Sequence, residues 1–115
     1  MYQDKMVLGA SSAYETKFYL NENFDGLPQH VKDELKILCV LFTEDVGGIL
    51  SLEFDEEGNL ELNTSADEGD LLYDDIGSVL KIKQMQQEKQ ELFESLEMYY
   101  KVFFLGEDLE DDNGH

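Results

Sequence analysis

Arginine and tryptophan are absent from this chain, and cysteine and proline occur once each. Each absence closes off a chemistry. Without arginine there is no bidentate clamp for a phosphate or a carboxylate. A single cysteine, Cys39, excludes an intramolecular disulfide and a thiolate zinc cluster. It lies inside an apolar run, so it reads as a packing residue rather than a reactive thiol. Of the two histidines, His30 falls in the first turn of a helix and His115 is the last residue. Nothing near His30 completes a triad, so it reads as a surface residue. No stretch reaches the roughly 18 apolar residues of a membrane span, and Met1 to Lys5 carry no signal-peptide pattern. These absences predict a cytoplasmic protein without a cofactor, and no catalytic motif marks it as an enzyme.

Positive charge is scarce as well: 8 lysines stand against 27 acidic residues, for a net charge of −19. Nucleic-acid binders need the opposite sign to displace counterions, and an anionic membrane surface repels such a chain. The partners this charge admits are basic proteins or cations. Much of it serves simply as a solvated surface. Mimicry of nucleic acid is a further possibility, which requires the acids to be gathered rather than scattered.

The chain does have enough apolar matter for a core, at 42% apolar and 11% aromatic over 115 residues. That bounds it to one domain, residues 1–105, followed by an acidic, disordered tail at 106–115. The organising stretch is Leu27 to Thr43. Pro28 suits a first helical position, with Asp25 or Gly26 in the cap region. Val31, Leu35, Leu38 and Phe42 share one helical face, and Gly47-Gly48 supplies the stop. Ile37 to Phe42 contains no polar residue, which predicts a central helix covered on all sides.

Strands are expected on either side of that helix. Residues 5–10 read as a first strand, Ser11-Ser12 as a turn, and residues 14–20 as a second strand with Tyr14, Thr16, Phe18 and Leu20 on one face. After Gly48, Ile49 to Phe54 and Leu60 to Asn63 alternate around Asp55-Glu56-Glu57-Gly58-Asn59. This predicts a hairpin with Gly58 at a positive φ. Residues 71–104 read as helix, either one rod of roughly 50 Å or two pieces broken near Gly77.

The predicted order is therefore strand-strand-helix-strand-strand-helix. It implies an α+β fold with a four-stranded antiparallel sheet, a buried central helix and a long C-terminal helix. The helices pack on one face of the sheet. Tyr19, Val7 and Ile49 leave the other face partly apolar.

Two groups of residues are candidates for function. Ile82, Met85, Leu92, Leu96, Tyr99 and Phe103 fit a heptad seam, with Lys89 filling the position that lacks an apolar residue. With Tyr100 they form candidate interface positions for a homodimer. Asp67, Glu68, Asp70, Asp74 and Asp75 form an acidic turn that offers oxygen ligands to a hard cation. The simpler reading of those acids is a capped helix start with negative charge at the N-terminal dipole. Asp55 to Asn59 lacks the ligand spacing of a calcium loop, and Gly47-Gly48 lacks the further glycine and lysine of a phosphate loop.

Val31 to Gly48, Phe54-Asp-Glu-Glu-Gly58, Ile76-Gly-Ser78 and Tyr99 to Gly106 together resemble a small acidic bacterial family of unknown function. The resemblance spans nearly the whole chain and implies no activity or site residues. In general character the chain is also similar to secretion chaperones and toxin-immunity proteins, through size, acidity and fold class alone. The expected function is a non-enzymatic interaction protein, homodimeric and acidic, for a basic partner. The alternative is a divalent-cation-dependent binding or catalytic module built on the acidic turn.

Overall fold

The computed structural model describes residues 5–107, and most of the expected tail lies outside them. The chain forms β1 (Met6–Ser12), β2 (Lys17–Leu20), a short 3-10 turn (Glu22–Phe24), α1 (Gln29–Val46), β3 (Ile49–Phe54), β4 (Leu60–Ser65), α2 (Asp75–Glu88) and α3 (Gln90–Phe103). The four strands make one antiparallel sheet in the order β2-β1-β3-β4. The α+β class and the four-stranded antiparallel sheet are as the sequence predicts.

Local chemistry accounts for the two hairpins. In β3–β4, Asp55 Oδ1 accepts the N–H groups of Glu57 and Asn59, each at 2.9 Å. Gly58 takes φ +92°, which strongly favours glycine, and donates its N–H to the Asp55 carbonyl. In β1–β2 the turn falls later than Ser11-Ser12. Ser11 stays in the strand because its hydroxyl is buried against Thr43 Oγ1 at 2.8 Å. Ser12 Oγ instead accepts the N–H groups of Tyr14 and Glu15 and starts the turn. Tyr14 and Thr16 therefore leave the strand pattern, and only Phe18 and Leu20 keep the inward face of β2.

The core lies between one sheet face and the helices. Leu50, Leu52 and Phe54 of β3 are buried, with Leu8 of β1. α1 meets them with Leu35, Cys39, Phe42 and Val46, spaced four, three and four residues apart. The expectation that Ile37 to Phe42 is covered on all sides does not hold. Cys39 and Phe42 are buried, but Ile37 and Leu41 are each 57% exposed. The reason is architectural: one sheet and two further helices cover the inner side of α1, and no layer lies beyond it.

The C-terminal helix is two helices, and the break is at Lys89 rather than Gly77. Gly77 lies in the first turn of α2, where its N–H donates to Asp74 Oδ1 at 2.8 Å. Residues 84–91 are almost wholly polar and give a straight rod no stripe with which to grip the core. A bend there lets Met85 of α2 and Phe93 of α3 both reach the interior. It also leaves Lys89 Nζ 3.0 Å from Glu34 of α1.

The end of α3 closes the core with aromatic rings. Tyr100 stacks on Phe54 at a centroid distance of 4.3 Å and an interplanar angle of 3°. Phe24 stacks on Phe104 at 4.8 Å, and Tyr100 on Phe104 at 5.0 Å. Each such pair adds about 0.5–1.5 kcal/mol to the burial itself.

Candidate functional site

The acidic turn is organised as a clasp. Tyr14, reaching over from the β1–β2 turn, donates its hydroxyl hydrogen to Asp70 Oδ2 and accepts the N–H of Asp67 at 2.8 Å. Asp70 Oδ1 accepts the N–H of Leu72 at 2.9 Å. The hydroxyl of Tyr14, followed by the Leu72 N–H, holds the Asp70 carboxyl below its ordinary range, and the same contact with Asp70 raises the Tyr14 phenol. Asp74 caps α2, and its own N–H donates to the Val46 carbonyl at 3.0 Å. Tyr73 lies against Gly48, so closely that a Cβ there would come within 2.9 Å of its ring.

This places the five candidate ligands. Asp70 and Asp74 are engaged in turn and cap bonds, while Asp67, Glu68 and Asp75 face solvent. Among the described residues no three His, Cys, Asp or Glu side chains gather in an arrangement that would hold an ion. His30 is exposed in the first turn of α1, and His115 lies outside the described residues. Burial pushes the Cys39 thiol up to about 12, which keeps it protonated and inert.

The candidate interface residues are largely spent on the chain's own core. Met85, Leu96 and Tyr100 are buried, and Ile82, Leu92 and Tyr99 pack half-buried against them. Of the seven, Phe103 alone is strongly exposed, at 70%. The heptad spacing is real, but its seam faces this chain's sheet and α1.

Sequence reasoning missed a different apolar surface. Leu71 and Leu72 are 94% and 90% exposed, and Ile76, Val79 and Leu80 are all more than half exposed. These residues are not on a loose loop. The Asp74 N–H ties the segment to the end of α1, the Tyr73 ring lies against Gly48, and the Leu72 N–H bonds to Asp70, which Tyr14 holds from the β1–β2 turn. Side chains of this size stabilise a fold by about 1.5–3 kcal/mol each when buried, and here that stabilisation is forgone. A signal was present in the sequence: Ile76 and Leu80, four residues apart in α2, are offset from the inward stripe of Ser78, Ile82 and Met85.

Charge surrounds this surface. Glu44, Asp45, Asp74 and Asp75 are all exposed. Lys81 pairs with Asp45, and the pair is too exposed to contribute much stability. No helix among the described residues is long and apolar enough to cross a membrane.

The described residues thus form a small acidic α+β domain with an aliphatic surface left in water. The chain belongs to a family: the family of unknown function DUF6145 matches residues 5–108. No curated protein and no solved structure matches it.

Proposed function

We propose that this chain is a non-enzymatic, cytoplasmic interaction protein that binds a basic protein. The observation that carries the reading is the exposed aliphatic run from Leu71 to Leu80, bordered by Asp74 and Asp75. Apolar contact supplies affinity at such a surface, while the carboxylates select and steer a cationic partner. The excess of 27 acids over 8 lysines acts in the same direction.

A homodimer is the second reading, and Phe103 and the aliphatic run are the surfaces that favour it. Like charge opposes it, since each copy carries −19. The divalent-cation alternative has less behind it, because two of its five carboxylates already hold backbone N–H groups.

The test places a photoreactive amino acid at Leu80 of the full chain in the native cell. An adduct with a protein of pI above about 9 is expected, lost when salt screens the charges. Crosslinks to a second copy alone would assign the surface to self-association, and the absence of any adduct would remove both readings.

A further inference from the structure

Residues 66–74 cross from the end of β4 to α2 as a strap. At the α2 end the Asp74 N–H donates to the Val46 carbonyl and the Tyr73 ring lies against Gly48. Along the span itself the residues from Ala66 to Leu72 are exposed, apart from the half-buried Asp70. A Cβ at Gly69 would meet nothing within 4 Å. Apolar packing therefore does not hold the span down. Among the described residues, both hydrogen bonds that join 66–72 to a distant part of the chain end on one group. That group is the Tyr14 hydroxyl, which donates to Asp70 and accepts the Asp67 N–H.

The β1–β2 turn fixes where that hydroxyl points. Ser12 Oγ accepts the Tyr14 and Glu15 N–H groups, and the Ala13 N–H donates to the Gly48 carbonyl at 2.8 Å. Thr16 completes the turn at φ +50°, a left-handed conformation that a β-branched residue rarely adopts. Strain of this kind persists where surrounding contacts over-determine it, and it gathers at switching elements.

Between the strap and the first turns of α2 is an open hollow of about 690 Å³. Its walls are mixed: Asp67, Asp70 and Asp75 lie on it together with Leu71, Tyr73 and Val79. Leu71, 94% exposed, is on the strap side, and Val79, 55% exposed, is on the α2 side. Contact between the two takes apolar surface out of water and leaves the exposed carboxylates solvated.

We infer that Tyr14 is a latch: its hydroxyl holds the strap open with Leu71 in water, and release of that hydroxyl lets the strap close over the hollow and bring Leu71 onto Val79. Gly69, at φ +86° and free of neighbours, is the point at which the strap bends. The exposure of Leu71 is thereby set from the β1–β2 turn, 57 residues away in the chain (71 minus 14). The latch is a property of the chain alone and does not depend on what binds it.

Amide hydrogen exchange and methyl NOEs of the full chain, wild type against Tyr14→Phe, test the latch. The substitution keeps the ring and removes only the hydroxyl. The Asp67 amide is expected to exchange about tenfold faster, the scale of a lost hydrogen bond. A methyl contact between Leu71 and Val79 that wild type lacks is expected to appear. The amides of β1 and β3 should keep their rates, and the Asp67 amide should keep its rate in Tyr19→Phe, which removes an exposed hydroxyl from β2 instead. An unchanged Asp67 rate in Tyr14→Phe would overturn the latch. Faster Asp67 exchange without the Leu71–Val79 contact would overturn the closing of the strap. Faster exchange throughout the sheet would make Tyr14 a support of the whole fold and overturn the local device.

Discussion

Residues 71–80 and 96–104 are similarly rich in large apolar side chains, yet the first run leaves five of them in water and the second only Met98 and Phe103. In the second run, Leu96 and Tyr100 are buried and Tyr99 and Phe104 pack half-buried among the rings of Phe24 and Phe54. In the first, Leu71, Leu72, Ile76, Val79 and Leu80 stand in water. Backbone placement makes the difference. α3 lies against the sheet, and its inward stripe meets β3 and the 3-10 turn. Residues 71–74 are bound through their backbone to Asp70 and to the end of α1, which spends the polar groups inward and turns the leucines out. Apolar density in a sequence therefore marks a surface that some neighbour must cover, but not whether that neighbour belongs to the same chain.

Stability measurements sharpen the contrast. Phe54→Ala removes the ring at the centre of the aromatic stack and should destabilise the fold by about 3–5 kcal/mol in urea unfolding. A loss below about 1 kcal/mol would mean that the stack contributes little. Asp74→Ala removes the α2 cap and should cost about 0.5–2 kcal/mol, visible as a lower melting temperature. The turn at Asp55 gives a smaller, pH-dependent effect. The N–H of Asn59, joined by that of Glu57, lowers the Asp55 carboxyl from its ordinary value. A depressed carboxylate contributes stability that is present above its unfolded pKa and lost as pH falls through the folded one. Wild type should thus lose slightly more stability than Asp55→Asn as pH drops below about 3.9, and parallel acid-melting curves would deny the carboxylate that role. Smallest of all, Leu72→Ser should leave unfolding stability within about 0.5 kcal/mol of wild type. A larger loss would show that Leu72 belongs with the core and erase the distinction between the two runs.

The parts of the fold that were legible in the sequence are those fixed locally. The β3–β4 hairpin follows from alternation of Leu50, Leu52 and Phe54 and from Asp55 and Gly58 in its turn. α1 runs from just after Pro28 to just before Gly47, as its punctuation requires. What could not be read depends on the number of layers. Nothing in Ile37 to Phe42 states that only one side of α1 is covered, and so Ile37 and Leu41 were expected to be inside. The bend at Lys89 depends on distant contacts of Met85 and Phe93, whereas Gly77 looked like the natural weak point. At the site, an acidic cap was legible but its position was not: the sequence points to Asp67 or Asp70 before a helix from Leu71, whereas α2 begins at Asp75 and Asp74 caps it. Leu72 and Ile76 were not singled out, since α2 carries apolar residues on two faces and periodicity does not say which one turns inward.

The tethering of α2 has a dynamic consequence. Of its residues only Ser78 and Met85 are buried, and its links to α1 include the solvent-exposed pairs of Lys81 with Asp45 and Lys89 with Glu34. So thin an anchorage predicts that the helix opens locally while the sheet stays shut, with its amides exchanging deuterium before those of β1 and β3 in a hydrogen-exchange measurement.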